Sequence, residues 1–536
     1  MSKKQSPVFI VGGGLVGLSA ALCLANQNIP YLLIERHACT SIHPRANGMN
    51  VRTMEIFREL GIEKEIRTAG EVLEKSNGAI EVKVLAETDL KGLKRIAPNG
   101  HKLEALIGEQ VKSISPITAC ACSQDQSEPV LLEKAQQLGG DIRFYTELIS
   151  FEQTKTGIQA MIRDRKTGQV ETIYAKYMIA ADGAKSQVRQ ALGIEFTEGG
   201  SFGHHINIYF QADLRKMVEG HEFIVCNITN PESPGSLLSV NNKDRWCFHV
   251  AYHPEKGEST DDFSQDRCID LIRKAIGLPN LDVTILSILP WEAASRIADH
   301  YQVGRVFLAG DAAHVMPPKG AYGANTGIQD AHNLVWKLAA VLRDEANTDL
   351  LTTYEQERKP VAQFATNQSV LNLADGEGRV HPLIPAIGYL YQSDAIVSEE
   401  DIEIRLDELR LDGVPGKRAP HVWCSYRGKR ISTIDLLGKT FVLFTGDKGK
   451  EWLDAASNVS LCLEITIQAY QISAYGDLVD IDNNWSEAYG IRSEGAVLIR
   501  PDGFVAWRTN GQMAYKAEIL AEVFQQILFH RKANNS

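Results

Sequence analysis

The N-terminal part of the chain combines short apolar runs with a glycine-rich turn in a pattern that predicts a βαβ unit. Residues 8–11 (VFIV) form an apolar run typical of a buried strand. The Ala/Leu-rich stretch LSAALCLANQ at 18–27 predicts a helix. Residues 31–34 (YLLI) predict a second strand, which stops at Glu35. The glycines lie between the first strand and the helix.

Two later apolar runs also end abruptly, each at a pair of Gly and Asp. Residues 177–189 read YMIAADGAKSQVR, a predicted strand followed by Asp182. Residues 306–314 read VFLAGDAAH, a predicted strand followed by Gly310 and Asp311. An Asp that only caps the next helix would give the same pattern. Three strand-to-glycine turns in one chain are a stronger sign of a ligand-binding α/β sheet than any of them alone.

The glycine-rich stretch at 320–327 (GAYGANTG) predicts a loop that leads into a core helix. Apolar residues keep helical spacing over 328–342, so we expect the helix to begin at Ile328. A helix N-terminus presents free N–H groups and the positive end of the helix dipole. A plain flexible loop is the alternative interpretation.

The middle of the chain has a different pattern of apolar and polar residues. The stretches HHINIYFQADL at 204–214 and RWCFHVAYH at 245–253 alternate apolar and polar residues, which predicts antiparallel strands covering a pocket. Tyr209, Arg245, His249 and Tyr252 are candidates to line that pocket. For each of them, a half-buried strand position without a function is the simpler interpretation.

The C-terminal part predicts a separate small α/β unit. Residues 395–418 are charged and end near a Pro-Gly pair, which favours a linker. Beyond residue 419, we expect strands at 440–444, 461–467, 496–499 and 504–507 and a closing helix at 516–529. Cys424 and Cys462 are far apart and form no C-x-x-C motif, which argues against thiol redox chemistry.

Composition narrows the class of protein. A chain of 536 residues suggests about three domains, and 44% hydrophobic with 23% charged residues is ordinary for a soluble protein. A net charge of -11 argues against a nucleic-acid partner. No apolar run approaches the roughly 18 residues of a membrane span, and the N-terminal run is too short for a signal peptide. The nine cysteines form no disulfide framework, so we expect a reduced, cytoplasmic protein without a membrane partner.

The first glycine turn carries the pattern G-x-G-x-x-G, and it comprises Gly12, Gly14, Leu15, Val16 and Gly17. Its first glycine allows the tight turn, its second lets the backbone approach a pyrophosphate, and its third lets helix and strand pack closely. The helix N-terminus then faces the phosphate charge. Glu35 follows 18 residues after the last glycine and can accept hydrogen bonds from a ribose diol. These features predict a bound dinucleotide; a glycine-rich turn in an unrelated α/β domain is the alternative.

With these motifs, the chain resembles the FAD-dependent aromatic hydroxylases, which are single-component flavoprotein monooxygenases. It is most similar to the group that contains the phenol hydroxylases and the hydroxylases of aromatic polyketide biosynthesis. The matching stretches are VGGGLVGLSAALCLA, HPRANGMNVRTMEIFRELGI, CSQDQSEPVLLEKA, YMIAADGAKSQVRQALGI and GRVFLAGDAAHVMPPKGAYGANTGIQDAHNLVWKLA. They span residues 8 to 343, and the C-terminal third matches more loosely.

The resemblance implies an α/β fold with three parts. We expect a Rossmann-like FAD-binding domain at 1–190 and again, with helices, at 291–394. An inserted substrate domain, mainly antiparallel sheet, is expected at 191–290. A linker at 395–418 would lead to a thioredoxin-like domain without redox cysteines at 419–536.

The resemblance also implies which residues lie at the FAD. In this family, Asp311 falls where an Asp contacts the ribityl–phosphate part, and Gln124 where a Gln contacts the FAD chain. The complete set comprises Gly12, Gly14, Leu15, Val16, Gly17, Glu35, Arg36, Arg45, Gln124, Asp182, Gly310, Asp311, Pro318, Gly323, Ala324 and Asn325. An exposed or helix-capping role is the alternative for the polar ones. Asn47 stands where phenol hydroxylases carry an Asp near the substrate hydroxyl, so the resemblance provides no base there.

His314 follows directly after the second Asp motif, but no further His, Cys or carboxylate stands at ligand spacing from it. We therefore expect no metal. Packing and hydrogen bonding at the turn are favoured for His314 over direct catalysis.

The reaction implied by the resemblance uses NADPH or NADH as co-substrate, non-covalent FAD and O2. Reduced FAD and O2 give a C4a-hydroperoxide, which an electron-rich phenolic or polycyclic, polyketide-like substrate attacks. A Baeyer–Villiger or epoxidising enzyme of the same fold, and a flavin-binding partner protein with little turnover, remain alternatives. The catalytic residue, the individual substrate and the oligomeric state are left open.

Overall fold

The N-terminal βαβ unit lies at the centre of the largest sheet. The computed structural model describes residues 4–44, 46–76, 78–93, 110–374, 376–398, 408–511 and 513–530. Its strands are β1 Lys4–Val11, β2 Tyr31–Ile34, β3 Ala79–Val82, β4 Asp141–Arg143, β5 Thr146–Gln153, β6 Ile158–Asp164, β7 Val170–Ala180, β8 Phe196–Gln211, β9 Val225–Ile228, β10 Gly235–Ser239, β11 Arg245–Tyr252, β12 Thr284–Ala298, β13 Gln302–Val303, β14 Val306–Leu308, β15 His314–Val315, β16 Trp423–Tyr426, β17 Lys429–Ser432, β18 Phe441–Thr445, β19 Ile467–Gln471, β20 Leu478–Asp480, β21 Ala496–Ile499 and β22 Val505–Thr509.

The helices surround this sheet and the smaller sheets. They are α1 Leu15–Asn26, α2 Val51–Glu59, α3 Glu63–Glu74, α4 Gln124–Gln137, α5 Gln187–Ala191, α6 Arg215–Val218, α7 Gln265–Ile276, α8 Tyr322–Leu342, α9 Thr353–Leu373, α10 Lys450–Leu463, α11 Trp485–Tyr489 and α12 Lys516–Ile527. None of the helices in the described ranges is both long enough and apolar enough to cross a membrane.

The first sheet has a parallel core in the order β14-β7-β1-β2-β4. The short strand β13 extends one edge, and the meander β5-β6 pairs with the first half of β7. Helices α1 and α8 pack against each other. The strands β1, β2 and β14 are apolar throughout their buried parts, which is typical of a parallel sheet covered by other layers.

The second sheet is mostly antiparallel, in the order β15-β12-β8-β11-β10-β9-β3. One face carries Ile206, Ile208 and Phe210 of β8, which join a separate apolar core with α7. Because side chains alternate across a strand, Asn207 and Tyr209 lie on the opposite face. The fold class predicted from the sequence is thus confirmed: an α/β protein with a parallel sheet and an inserted antiparallel sheet.

The C-terminal unit contains a four-stranded sheet in the order β19-β18-β21-β22, with α10 and α12 packed together, and a small sheet β17-β16-β20. The predicted hairpin, first strand and closing helix are present. The predicted strand at 461–467 is wrong, because α10 continues to Leu463 and β19 begins only at Ile467. Leu461 is 79% exposed on the helix surface. Its apolar side chain led to the wrong prediction of a buried strand position.

Buried ion pairs join the C-terminal unit to the helices of the first sheet. Glu357 of α9 accepts hydrogen bonds from Arg500 at 2.6 and 2.9 Å and from Lys337 of α8 at 2.8 Å. Arg418 donates to Glu55 of α2 at 2.7 Å. All five side chains are buried. The C-terminal unit is therefore tightly packed against these helices. The domain boundaries inferred from the sequence remain a prediction. Residues 399–407 of the proposed linker lie outside the described part.

Candidate active site

The three glycines of the first turn differ in what surrounds them. Gly12 has a φ of +107°, and a Cβ there would lie 2.3 Å from the carbonyl oxygen of Ala181. A Cβ on Gly17 would lie 1.9 Å from the Gly12 carbonyl oxygen, so strand and helix approach closely only without a side chain. A Cβ on Gly14 would meet no described protein atom nearer than 3.5 Å. The nearest atoms are Glu128 Oε1 at 3.5 Å and Gln124 Nε2 at 4.0 Å, so no backbone closes the side of Gly14 on which a pyrophosphate would lie.

Helix α1 begins at Leu15 without a side-chain cap and without an acidic residue in its first turn. Its first N–H groups point away from the helix body and favour an anion. Val16 packs against Gly310, where a Cβ would lie 2.7 Å from its Cγ2 atom. Val16 therefore connects the first glycine turn to the second Asp motif.

Glu128 is a buried carboxylate at this helix start that the sequence did not single out. It accepts a hydrogen bond from Gln124 Nε2 at 2.6 Å and one from the Ser41 N–H at 2.6 Å. Burial raises its pKa, and hydrogen bonds from Gln124, Ser41 and Leu15 oppose that shift. The only sequence signal was its position one helical turn after Gln124. Gln124 thus reaches the turn together with Glu128.

Glu35 closes the glycine turn from the end of β2. Its carboxylate accepts hydrogen bonds from the Gly13 N–H at 2.7 Å and from the His37 N–H at 2.8 Å. Arg36 is exposed beside it, and its carbonyl accepts a hydrogen bond from Arg165 at 2.8 Å. Arg45 lies outside the described residues. Backbone N–H groups thus share both oxygens of Glu35, and its contact with an adenosine ribose stays a prediction.

Asp182 and Asp311 follow adjacent strands at the same edge of the sheet. The register pairs Val11 with Ala180 and Ala180 with Leu308, so β1, β7 and β14 end side by side. Asp182 Oδ2 accepts from the Val188 N–H at 3.2 Å, while its buried Oδ1 has no hydrogen-bond partner among the described residues. Burial raises the pKa of Asp182. Asp311 is exposed.

This edge holds all three motifs predicted from the sequence. The buried Oδ1 of Asp182, the exposed Asp311 and the helix start beside Gly14 lie above the carboxyl ends of parallel strands, the usual ligand position in open α/β sheets, and this region is here called the groove. A buried acceptor without a partner costs about 1–3 kcal/mol. The donor set and the space fit the diphosphate and ribityl chain of a flavin dinucleotide.

The helix predicted from Ile328 begins earlier, at Tyr322, so the prediction of a loop over 320–327 was wrong for most of its length. Gly323, Ala324 and Asn325 lie in the first turn. The helix can start there because Ala321 adopts a left-handed conformation with a φ of 55° and the Asn325 side chain donates to the Ala321 carbonyl at 2.7 Å. The glycines in this stretch suggested a loop, so this extra helical turn was not predicted. Pro318 is exposed in the turn that precedes it.

Asn325 links this helix start to the loop after β2. Its side chain donates to the Gly48 carbonyl at 3.0 Å and accepts from the Asn50 N–H at 2.9 Å. A Cβ on Gly323 would meet only Met316, at 3.5 Å, so its surroundings are open. The helix start therefore presents backbone N–H groups to open space, while Asn325 holds the neighbouring loop in place.

A cavity of about 500 Å³ lies between that loop and the second sheet. Its walls include Asn47, Gly48, Asn50, Gly78, Ala79, Ile224, Gly320, Ala321 and Asn325. Asn47 Oδ1 is buried and has no hydrogen-bond partner among the described residues. This cavity joins the first turn of α8 to the antiparallel sheet.

The four candidate pocket residues of the second sheet fall into three groups. Tyr209 and His249 lie on the face opposite the apolar core, as their register positions beside Cys247 and Asn207 show. Tyr252 is buried in the core, against Phe263 at a ring distance of 5.9 Å. Arg245 is exposed at the start of β11.

His314 is fully buried. Its Nε2 atom is 2.7 Å from Asp330 Oδ2, and Asp330 also accepts from Arg358 at 2.7 Å and from the Gly310 N–H at 3.1 Å. Within the described ranges, no three His, Cys, Asp or Glu side chains converge as metal ligands. His314 thus supports the turn through a buried hydrogen bond to Asp330, in line with the structural role expected from the sequence.

Comparison with known proteins gives the family. The family model of an FAD binding domain matches residues 5–369, and that of the C-terminal part of aromatic-ring hydroxylases matches residues 412–529. A putative polyketide hydroxylase of Streptomyces halstedii is 43% identical, with 94% of this chain and 93% of the relative covered. The tetracenomycin A2 monooxygenase-dioxygenase of Streptomyces glaucescens is 40% identical, with 98% of each chain covered.

A solved structure gives the same result for the fold. The ternary complex of aklavinone-11 hydroxylase with FAD and aklavinone superposes with a TM-score of 0.90 at 35% identity, covering 99% of this chain and all of the other. The expectations of an FAD cofactor and of monooxygenase activity, for which NAD(P)H is the typical co-substrate of the family, are confirmed. The chain belongs to the FAD-dependent aromatic-ring hydroxylases and is an aromatic monooxygenase.

Proposed function

We propose that the protein hydroxylates a polycyclic, polyketide-type phenol with NAD(P)H and O2, and that FAD lies in the groove described above. The observation that carries the proposal is the cavity of about 500 Å³ that Asn325 of α8 lines together with Ala79 and Ile224 at the β3–β9 edge of the antiparallel sheet. Relatives named for polyketide and tetracenomycin substrates support a polycyclic substrate for this chain as well.

The groove residues would divide the cofactor among them. Gly12, Gly14 and Gly17, with the N–H groups of Leu15 and Val16, would hold the diphosphate, and Glu35 and Arg36 the adenosine end. Gln124, Asp182, Gly310 and Asp311 would hold the chain between the two ends. The donors of the diphosphate cradle are backbone N–H groups at a helix N-terminus, which favour an anion. The Leu15 N–H, which donates to the Glu128 carboxylate, would be shared with the diphosphate or released to it.

The ring end would lie at the first turn of α8. Bound FAD, once reduced by NAD(P)H, supplies the activation of O2. Gly323, Ala324 and Asn325 would face the ring with backbone N–H groups, and the positive helix end there favours negative charge. Pro318 and Arg45 would complete this end.

The test is a substrate panel with two readouts. FAD-loaded protein is mixed with NADPH or NADH and with either a hydroxylated anthraquinone or naphthacenequinone or a simple phenol. NAD(P)H consumption and incorporation of isotopically labelled O2 into the product are then measured. The proposal predicts that the polycyclic phenols stimulate NAD(P)H oxidation and gain one labelled oxygen atom as a hydroxyl group. Stimulation by simple phenols alone, or an oxygen inserted into a ring bond, would contradict it.

A further inference from the structure

One face of the second sheet carries a cluster of polar and aromatic side chains, here called the polar sheet face. It comprises His205, Asn207 and Tyr209 of β8, His249 of β11, and Ser287 and Trp291 of β12. The register places Asn207 between His249 and Leu289, and His205 beside Trp291. The apolar core covers the other face of these strands, so folding of the sheet does not require this cluster.

Most of the cluster is held in a fixed arrangement. Trp291 stacks on His205 with a ring distance of 4.5 Å and an interplanar angle of 17°. The indole N–H of Trp291 also donates to Asn207 Oδ1. Ser287 Oγ lies 2.8 Å from His43 Nε2. These contacts leave few rotamers to the side chains and give the face a defined shape.

His249 is the exception in this arrangement. Its ring lies 5.9 Å from that of Trp291, but its buried Nε2 atom has no hydrogen-bond partner among the described residues. Burial, with His205 and His43 nearby, lowers the pKa of His249 to about 4. The imidazole is therefore neutral at neutral pH, and one of its ring nitrogens is a hydrogen-bond acceptor. Native interiors rarely leave such a group unpaired unless a ligand or water completes it.

The loop after β2 connects this face with the cofactor groove. At its start, His43 contacts the face through Ser287, and its ring lies 5.7 Å from that of Tyr209. Further along, Gly48 and Asn50 are hydrogen bonded to Asn325. The same loop therefore contacts both the polar sheet face, through His43, and the first turn of α8, through Gly48 and Asn50.

We propose that His249 accepts a hydrogen bond from a phenolic hydroxyl of the aromatic substrate and thereby orients its ring. This inference rests on the proposed function. The hydrogen bond would supply the missing partner of Nε2. It would also leave more electron density on the phenolic oxygen, which favours attack by the ring at its ortho and para positions. No other side chain of the polar sheet face combines burial with an acceptor that lacks a partner among the described residues.

The experiment compares two probes that differ in one hydrogen-bond donor. Dissociation constants of 2-hydroxyanthraquinone and 2-methoxyanthraquinone are measured on FAD-loaded protein from the change in flavin fluorescence. The wild-type protein should prefer the hydroxyl compound by about 5- to 150-fold, the effect of one buried hydrogen bond. His249→Leu should reduce that preference to near one while it still binds the methoxy compound. His249→Gln, which keeps an acceptor, should retain part of the preference.

His253→Leu serves as the matched control, since it removes an exposed imidazole from the turn after β11. It should keep the wild-type preference. If His249→Leu and His249→Gln both keep the full preference with normal FAD content, His249 is not the acceptor, and the proposed function is unaffected. If the wild-type protein binds neither probe and no polycyclic phenol stimulates NAD(P)H oxidation, the proposed function and this inference both fail.

Discussion

His314 Nε2 lies 2.7 Å from Asp330 Oδ2, and both side chains are fully buried. The neighbouring Arg358 and His314 hold the pKa of Asp330 below its usual value against the effect of burial. An ionised carboxylate only accepts, so the imidazole donates. The same oxygen accepts from the Gly310 N–H, so this pair fixes the backbone that precedes Asp311.

We predict that His314→Phe weakens the fold but not the chemistry. The change removes one hydrogen bond to a buried carboxylate and should lower the free energy of unfolding by about 1–3 kcal/mol. The hydroxylated product formed per NADPH consumed should remain at the wild-type value. Urea unfolding and product analysis measure the two effects. His300→Phe, at an exposed imidazole, is the control and should change neither. Loss of product with unchanged stability would instead assign His314 a direct role.

A second prediction separates the glycines of the first turn. Gly17→Ala would place a Cβ 1.9 Å from the Gly12 carbonyl oxygen and should lower both the stability of the apoprotein and its FAD affinity. Gly14→Ala meets no close protein atom and should leave the apoprotein as stable as the wild type while it weakens FAD binding. Thermal unfolding of FAD-free protein and FAD titration provide the comparison. Equal FAD affinity in Gly14→Ala and wild type would place the diphosphate elsewhere.

A third prediction concerns Gly323 in the first turn of α8. The neighbouring space is open apart from Met316, so Gly323→Val should fold normally and retain FAD. Its side chain would enter the region proposed for the flavin ring, so NADPH oxidation should slow or yield hydrogen peroxide in place of product. The ratio of hydroxylated product to NADPH consumed is the measurement, with Gly323→Ala as the smaller substitution. If the valine variant keeps the wild-type ratio of product to NADPH consumed, the flavin ring does not lie at this helix start.

A fourth prediction follows from His421, which lies buried in the C-terminal unit with Nδ1 2.6 Å from Ser432 Oγ. Burial, together with Arg418, lowers its pKa to about 4. In the unfolded chain, His takes up a proton near pH 6.5. The unfolded state therefore binds more protons between pH 6.5 and 4, and the stability that depends on neutral His421 declines as the pH falls through this range.

The measurement compares thermal unfolding of wild type and His421→Gln at several pH values. At pH 7, the wild type should be more stable, because it keeps the buried hydrogen bond to Ser432. That advantage should shrink towards pH 5, since the variant has no imidazole to protonate. An advantage that stays constant or grows as the pH falls would contradict the assignment of His421 as a buried neutral group.

The strands and the glycine motifs could be predicted from the sequence because each depends on local pattern. Gly17 is required by a contact within one βαβ unit, whereas Gly12 is required by its positive φ and by the Ala181 carbonyl beyond β7. Asp182 and Asp311 follow apolar runs that are visible in the sequence. The start of α8 at Tyr322 could not be predicted, since three glycines suggest a loop and the helical turn is stabilised by tertiary contacts such as those of Asn325 with Gly48 and Asn50. Leu461 caused the opposite error: its apolar side chain on the surface of α10 suggested a strand where the chain is helical.

The remaining parts of the site depend on tertiary register. Glu128 has the sequence context of an ordinary helical acid, and its burial at the start of α1 follows from how α4 packs. The approach of His249 to Trp291 depends on strands that are about forty residues apart in the sequence. Such relations depend on which strands pair, which residue periodicity alone does not specify.

The most direct test of the account is the affinity of FAD for Asp311→Ala. If Asp311 accepts hydrogen bonds from the FAD chain at the end of β14, the substitution should weaken binding by about 5- to 150-fold. FAD-free wild type, Asp311→Ala and Asp311→Asn are titrated with FAD, and thermal unfolding checks that each apoprotein is folded. We expect weak binding in the alanine variant and an intermediate affinity in the asparagine variant. Wild-type affinity in a folded Asp311→Ala protein would show that FAD does not occupy this groove.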